Sequence, residues 1–322
     1  MSDEGRVPPG ADQDKAFGSG LPRLVYPVIS RRSGGLSLGI NLFPYGKVCN
    51  FDCPYCEVFA EEAGADSERG ATVPSGGDPE RRGAAPKGAG GGPQAPPSIS
   101  IGRLESELAD FADRAWPEVF APESVRDICF SGNGEPTMSP SLEKALAAAD
   151  RARRSHPKAF GNAKLVLITN STGFLDEEVA GVLELAVDDC GLEIWAKLDA
   201  GSEDLFRLMS GTVLPLSRIA EGILSFASRR PIVIQSMLCE VAGRSPSDAD
   251  ARELGGLIAS VAARGALIRE IHAYTFARPT PGGNCAALGD ARLAELAAEI
   301  ARASGIAVRA FGSRGALDGT AR

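Results

Sequence analysis

The sequence predicts an α/β fold, a partial (β/α)6 barrel of the TIM type, and three observations predict it. Short apolar runs alternate with helical patterns along most of the chain, the order expected of βα units on a parallel sheet. Period-two reading gives the strands one apolar face and one polar or small face, as in Leu192 to Asp199, where Leu192, Ile194, Ala196 and Leu198 alternate with Glu193, Trp195, Lys197 and Asp199. Three cysteines stand directly after the first strand, at the end where barrels of this kind place their chemistry.

The first 22 residues are polar, acidic and rich in Gly and Pro, with no apolar stretch of the secretory type, and predict a disordered tail. A barrel is expected over 23–312, interrupted by a disordered insertion over about 61–98, where Val73 is the one large aliphatic residue in a run of Gly, Pro, Ala and charge. Residues 313–322 are expected as a flexible tail. Strands are expected at Leu36 to Leu42, Val125 to Ser131, Leu165 to Thr169, Leu192 to Leu198, Ile232 to Leu238 and Ile268 to Phe276. Helices follow at Ile101 to Ala115, Ser141 to Arg154, Asp176 to Ala186, Ser217 to Ser228, Asp248 to Arg264 and Ala291 to Ala303. Branched aliphatics fill the interior of a closed eight-stranded barrel, so polar and small inward residues point to a wider, partly open one around a ligand cavity.

A formal charge of −8 argues against nonspecific coating of nucleic acid. Seven cysteines without a secretory signal predict a reducing, cytoplasmic setting, and no apolar run is long enough for a membrane span.

Cys49, Cys53 and Cys56 form a C-x3-C-x2-C loop bent by Pro54. That spacing suits a [4Fe-4S] cluster with three protein thiolates and one iron left open for a reactant. Structural zinc prefers four closed ligands, and the two histidines, His156 and His272, lie far along the chain. After the second strand, Gly132-Asn-Gly-Glu135 is a glycine turn that allows close backbone approach and puts a carboxylate at the barrel mouth, where an ammonium group is the natural partner. Asn170 ends the third strand, either as a ligand contact or as part of a helix cap. Lys197 and Asp199 share an inward face and must pair with each other or serve a ligand. Gln235 points inward from the fifth strand, and Glu270, His272 and Tyr274 from the last, with Arg278 beyond. Cys239 and Cys285 follow the last two strands, Cys129 and Cys190 read as small buried residues, and Arg31-Arg32 reads as a solvated pair, with a carboxylate or phosphate site as the alternative.

With Tyr55 before its last cysteine, the C-x3-C-x2-C loop resembles that of the radical S-adenosylmethionine superfamily. The segments Ser30 to Asn41, Cys49 to Glu57, Ser131 to Thr137 and Ala196 to Gly201 are similar to iron-sulfur oxidoreductases related to wyosine-type tRNA-modifying enzymes. The resemblance implies that Cys49, Cys53 and Cys56 hold the cluster, whose open iron chelates S-adenosylmethionine. It implies that Tyr55 lies against the adenine and that the turn of Gly132, Asn133, Gly134 and Glu135 receives the methionine ammonium. Asn170, Lys197, Asp199 and Gln235 would contact ribose or carboxylate. The implied reaction is reductive cleavage to a 5′-deoxyadenosyl radical that takes hydrogen from a substrate: a small molecule, a tRNA or a protein. An electron donor such as flavodoxin or ferredoxin is implied with it. Wyosine-type base modification, activation of a partner as a glycyl radical, and electron transfer without catalysis are the alternatives.

Overall fold

A computed structural model describes residues 22–58, 98–121, 123–276, 280 and 283–317. Most of the expected N-terminal tail and of the insertion lies outside these residues. The chain opens with an antiparallel hairpin, β1 (Val25–Ser30) and β2 (Gly35–Ile40), and continues with α1 (Ile101–Asp110), which runs on into a π-wound helix, Phe111–Phe120. Then come β3 (Asp127–Phe130), α2 (Leu142–Ser155), α3 (Pro157–Phe160), β4 (Lys164–Thr169), α4 (Glu177–Cys190), β5 (Glu193–Lys197), α5 (Glu203–Ser210), α6 (Leu216–Ala227) and β6 (Ile232–Met237). The remainder is β7 (Cys239–Val241), α7 (Asp248–Ala263), β8 (Ile268–Tyr274), β9 (Cys285–Ala287), α8 (Asp290–Ser304), β10 (Val308–Gly312) and β11 (Gly315–Ala316).

One nine-stranded sheet has the order β1-β2-β3-β4-β5-β6-β8-β10-β11 and curls into a half-barrel. From β2 to β10 all neighbours are parallel, and β1 and β11 close the edges antiparallel. The six predicted strands are all present. Sequence reasoning missed β1, β10, β11 and the small antiparallel ribbon of β7 with β9. β7, β9 and β11 are two or three residues long, too short for a periodicity to register, and β1 and β10 lack the clean apolar alternation of the six strands that were read.

Local chemistry sets the helix limits. Ser100 Oγ accepts from Arg103 N to cap α1, Asp176 Oδ1 accepts from Glu178 N and Val179 N to cap α4, and Ser247 with Asp250 forms a capping box on α7. Gly191 and Gly305, at φ +66° and +69°, end α4 and α8. The main core lies between sheet and helices, where Leu38, Leu167, Ile194, Ile234 and Ile271 are within 1% of complete burial. On the opposite face Cys129, Val166, Trp195 and Val233 form a smaller cluster inside the curl. The inward faces read from the sequence are thus the observed ones.

Candidate active site

The cysteine loop follows β2 and is held by three neighbouring elements. Val48 pairs with Gly134 as an isolated parallel bridge, with Val48 N donating to Asn133 O (3.1 Å) and Glu135 N to Val48 O (2.8 Å). Asp52 N donates to Ser210 O (2.9 Å) at the end of α5, a helix the sequence reading missed, and the Phe51 ring meets Phe206 edge-on at 5.9 Å. Two glycines make these contacts possible. A Cβ on Gly134 would stand 2.1 Å from Val48 O, and one on Gly211, already at φ +60°, 2.3 Å from Asp52 O.

Cys49, Cys53 and Cys56 are each half-buried on this loop, with Cys56 N donating to Cys53 O (2.9 Å) across the Pro54-Tyr55 bend. Cys49 Sγ accepts from Phe51 N (3.4 Å) and Asn170 Nδ2 (3.7 Å). Asn170 also donates to Asn50 Oδ1 (2.7 Å), tying the end of β4 to the loop. Burial pushes the Cys49 thiol up and the Cys53 thiol up to about 12. Among the described residues no three His, Cys, Asp or Glu side chains converge on a single metal ion.

Glu135 does not stand open at the mouth. Its carboxylate is 3% exposed and accepts from Thr137 N (3.1 Å), Thr137 Oγ1 (2.7 Å), Thr169 Oγ1 (2.6 Å) and Asn170 N (2.6 Å). It caps the 3-10 turn Pro136–Met138 and joins that turn to the end of β4, so its acceptor capacity goes to the protein. Gly132, at φ +128°, would set a Cβ 2.9 Å from Asn41 Oδ1, and that oxygen accepts from Phe43 N and Asn133 N.

Beside the loop lies a network the sequence only half revealed. Tyr55 is buried and its hydroxyl donates to Asp199 Oδ2. Lys197 Nζ pairs with Asp199 Oδ1 (3.3 Å), donates to Tyr274 OH (2.9 Å) and stands 5.1 Å from the Tyr55 ring centroid. Met237 N also donates to Asp199 Oδ1 (2.7 Å). Despite desolvation, Asp199 and Tyr274 beside it hold the Lys197 ammonium well above its usual range, so it stays charged. Tyr55, Lys197 and Asp199 therefore come together as one unit, whereas Gln235, fully buried, accepts from Arg32 Nη1 (3.1 Å) instead.

Arg31 and Arg32 correct the expectation of a solvated pair. Arg31 donates to Gly312 O and to Thr275 O (3.0 Å), and Arg32 lies over the Tyr274 ring at 4.6 Å. Adjacent arginines at a turn carry no sequence signal of this role, because their partners lie more than 200 residues away. Cys129 is buried, whereas Cys190, expected to be buried, is half-exposed at the end of α4. Cys239 is buried and Cys285 half-buried on the β7–β9 ribbon, and Arg278 lies outside the described residues.

No protein-family model matches the chain. A radical SAM methyltransferase from Sphaerobacter thermophilus superposes with a TM-score of 0.56 at 16% identity, over 91% of this chain and 78% of that one. The fold is the radical SAM fold. At that identity the likeness is one of architecture, and it agrees with the superfamily resemblance carried by the cysteine loop. An archaeal TYW1 superposes with a TM-score of 0.36 at 17% identity, over 63% of this chain and 61% of that one. In sequence the chain is 25% identical over 211 residues to a UPF0026 protein of Helicobacter pylori, covering 63% of this chain. It is 23% identical over 206 residues to a GTPase Obg of Brachyspira hyodysenteriae, also over 63% of this chain. The matches span 54% and 23% of the length of those two relatives. The one Gly-Lys pair of this chain, Gly46-Lys47, is followed by Val48 and so does not form the G-x4-G-K-[ST] run of a phosphate-binding loop.

Proposed function

We propose that the chain is a radical S-adenosylmethionine enzyme in which Cys49, Cys53 and Cys56 hold a [4Fe-4S] cluster. The observation that carries this reading is a three-cysteine loop pinned at the C-terminal rim of a radical SAM half-barrel. When bound, the reduced cluster supplies an electron that cleaves S-adenosylmethionine to methionine and a 5′-deoxyadenosyl radical, which abstracts hydrogen from substrate. The protein's part is to position and to shield.

The turn Gly132 to Gly134 offers side-chain-free backbone beside the loop, the surface we assign to the methionine amine. Glu135 acts there as a positioning residue, holding the turn against β4 through its buried carboxylate. Asn170 donates toward Cys49 Sγ, and hydrogen bonds to sulfur tune an iron-sulfur potential. Tyr55, Lys197 and Asp199 form a buried polar wall whose charges are already paired, so it can meet a ribose or carboxylate without an unpaired charge. Gln235 belongs to the deeper interior. A small electron donor such as flavodoxin or ferredoxin is the proposed redox partner. No helix among the described residues is long and apolar enough to cross a membrane.

The test is anaerobic. After reconstitution with iron and sulfide and reduction, addition of S-adenosylmethionine is expected to shift the cluster's EPR spectrum and to yield 5′-deoxyadenosine. Cys53→Ala is expected to abolish both. A cluster whose spectrum ignores S-adenosylmethionine would replace the enzyme with an electron carrier.

A further inference from the structure

The cysteine loop carries an ion pair whose two members stand in different surroundings. Lys47, two residues before Cys49, pairs through Nζ with Asp52 Oδ1 at 3.2 Å, so the pair spans the stretch that holds Cys49. The lysine side chain is 12% exposed and the aspartate side chain 89%, which sets the cation against the protein and the acid in solvent. Backbone contacts fix both ends. Val48, next to Lys47, bridges to Gly134, and Asp52 N donates to Ser210 O (2.9 Å). Besides Asp52, Cys56 and Cys49 act electrostatically on Lys47. On the other flank of the loop Lys197 acts on Cys53, against Asp199.

An ion pair on a surface adds little to stability, because water screens it and two side chains lose their freedom. Here the screening is one-sided. Water attenuates the field of Asp52, whereas Lys47 acts on the thiols through protein, where a charge is felt more strongly. The pair therefore presents net positive charge to the sulfurs. An iron-sulfur cluster held by three thiolates is an anion and becomes more so on taking up an electron, and the charge around it sets how readily it does so. Glu135 opposes Lys47 at Cys49, but its carboxylate is fixed by four hydrogen bonds. Lys47 and Asp52 are the charges that the loop itself supplies.

Resting on the cluster assignment made above, we propose that Lys47 compensates charge at the cysteine loop and so raises the reduction potential of the cluster held there, with Asp52 as its solvent-side counterweight. Lys47 acts through its field, as a tuning residue that keeps the cluster within reach of a one-electron donor.

The test uses full-length protein reconstituted anaerobically with iron and sulfide, without S-adenosylmethionine, and a redox titration in which EPR counts the reduced cluster. Lys47→Met, of similar length and uncharged, is expected to lower the reduction equilibrium constant about tenfold, a fall of about 59 mV for one electron. Lys47→Arg, which keeps the charge, is expected to stay within about twofold of the wild type. Asp52→Asn is expected to move the constant the opposite way, by about two- to threefold because the acid is screened. Opposite signs mark an effect of charge, since a loop loosened by either substitution would move both values in one direction. A Lys47→Met potential equal to that of the wild type, or shifts of the same sign in Lys47→Met and Asp52→Asn, would overturn the proposal. Where Lys47→Met takes up no cluster, Asp52→Asn decides alone, and an unchanged or lowered potential overturns it. A wild-type chain that binds no cluster defeats the cluster assignment itself, whereas a cluster indifferent to these substitutions defeats the role of Lys47 alone.

Discussion

Glu135 shows how much one buried carboxylate organises. Its oxygens satisfy two threonine hydroxyls and two backbone N–H groups drawn from both sides of the site. Truncation to Ala removes the acceptor of all four buried donors, and each unsatisfied buried donor costs about 1–3 kcal/mol. We expect Glu135→Ala to lose at least roughly 4 kcal/mol of stability in urea denaturation, with Glu135→Gln losing less because its oxygen still accepts. His272 gives the pH dependence. Burial, the largest cause, lowers its pKa from the ordinary 6.5 against the opposing pull of Glu270, while Arg309 and Arg32 add to the lowering and Trp195 and Phe311 wall the ring. The unfolded chain therefore binds a proton near pH 6 that the folded chain refuses, and stability falls as pH drops below about 6.5. Glu270, lowered from 4.5 chiefly by its hydrogen bond to His272, extends the loss below pH 4.5. Urea midpoints are expected to decline from pH 7 to 5, and His272→Gln to flatten that decline.

Among elements, the cysteine loop is the informative case. Its composition sets three cysteines close together, but its position depends on the glycine turn after β3 and on the end of α5, separated from it in sequence by more than 80 and 150 residues. Because the Gly134 Cα faces Val48 O, Gly134→Ala is expected to displace the loop while leaving the helices and sheet in place. Iron bound per chain after reconstitution should fall severalfold with an unchanged circular dichroism spectrum. The six βα strands were legible because each is four to seven residues long with its apolar side turned to the helices. The hairpin strand β1 was not. Tyr26 covers Gly39 so closely that a Cβ there would stand 2.2 Å from the ring, a packing that is visible only once the two strands are paired.

Across the whole molecule, the sheet curls but its edge strands do not pair with each other, and Arg31 bridges the seam. From the first hairpin it donates to carbonyls beyond β8 and at the end of β10. Hydrogen bonds to charged donors contribute about 1.5–3 kcal/mol, and Arg31→Ala is expected to lower stability by about 2 kcal/mol and to speed amide exchange along β1 and β10. The next residue of the same turn, Arg32, lies over the Tyr274 ring and donates to Gln235, so one turn ties the first hairpin to β6 and β8 as well.

By itself the sequence determined the order of βα units, the inward and outward strand faces, the three-cysteine spacing and the shared face of Lys197 and Asp199. Each is encoded within a few residues, by periodicity, spacing or composition. Only the tertiary structure decided that Glu135 turns away from the mouth, that Tyr55 joins Asp199 and that Arg32 reaches Gln235. Those outcomes depend on which distant segments curvature brings together, and a buried polar group takes whichever partner the fold places within reach.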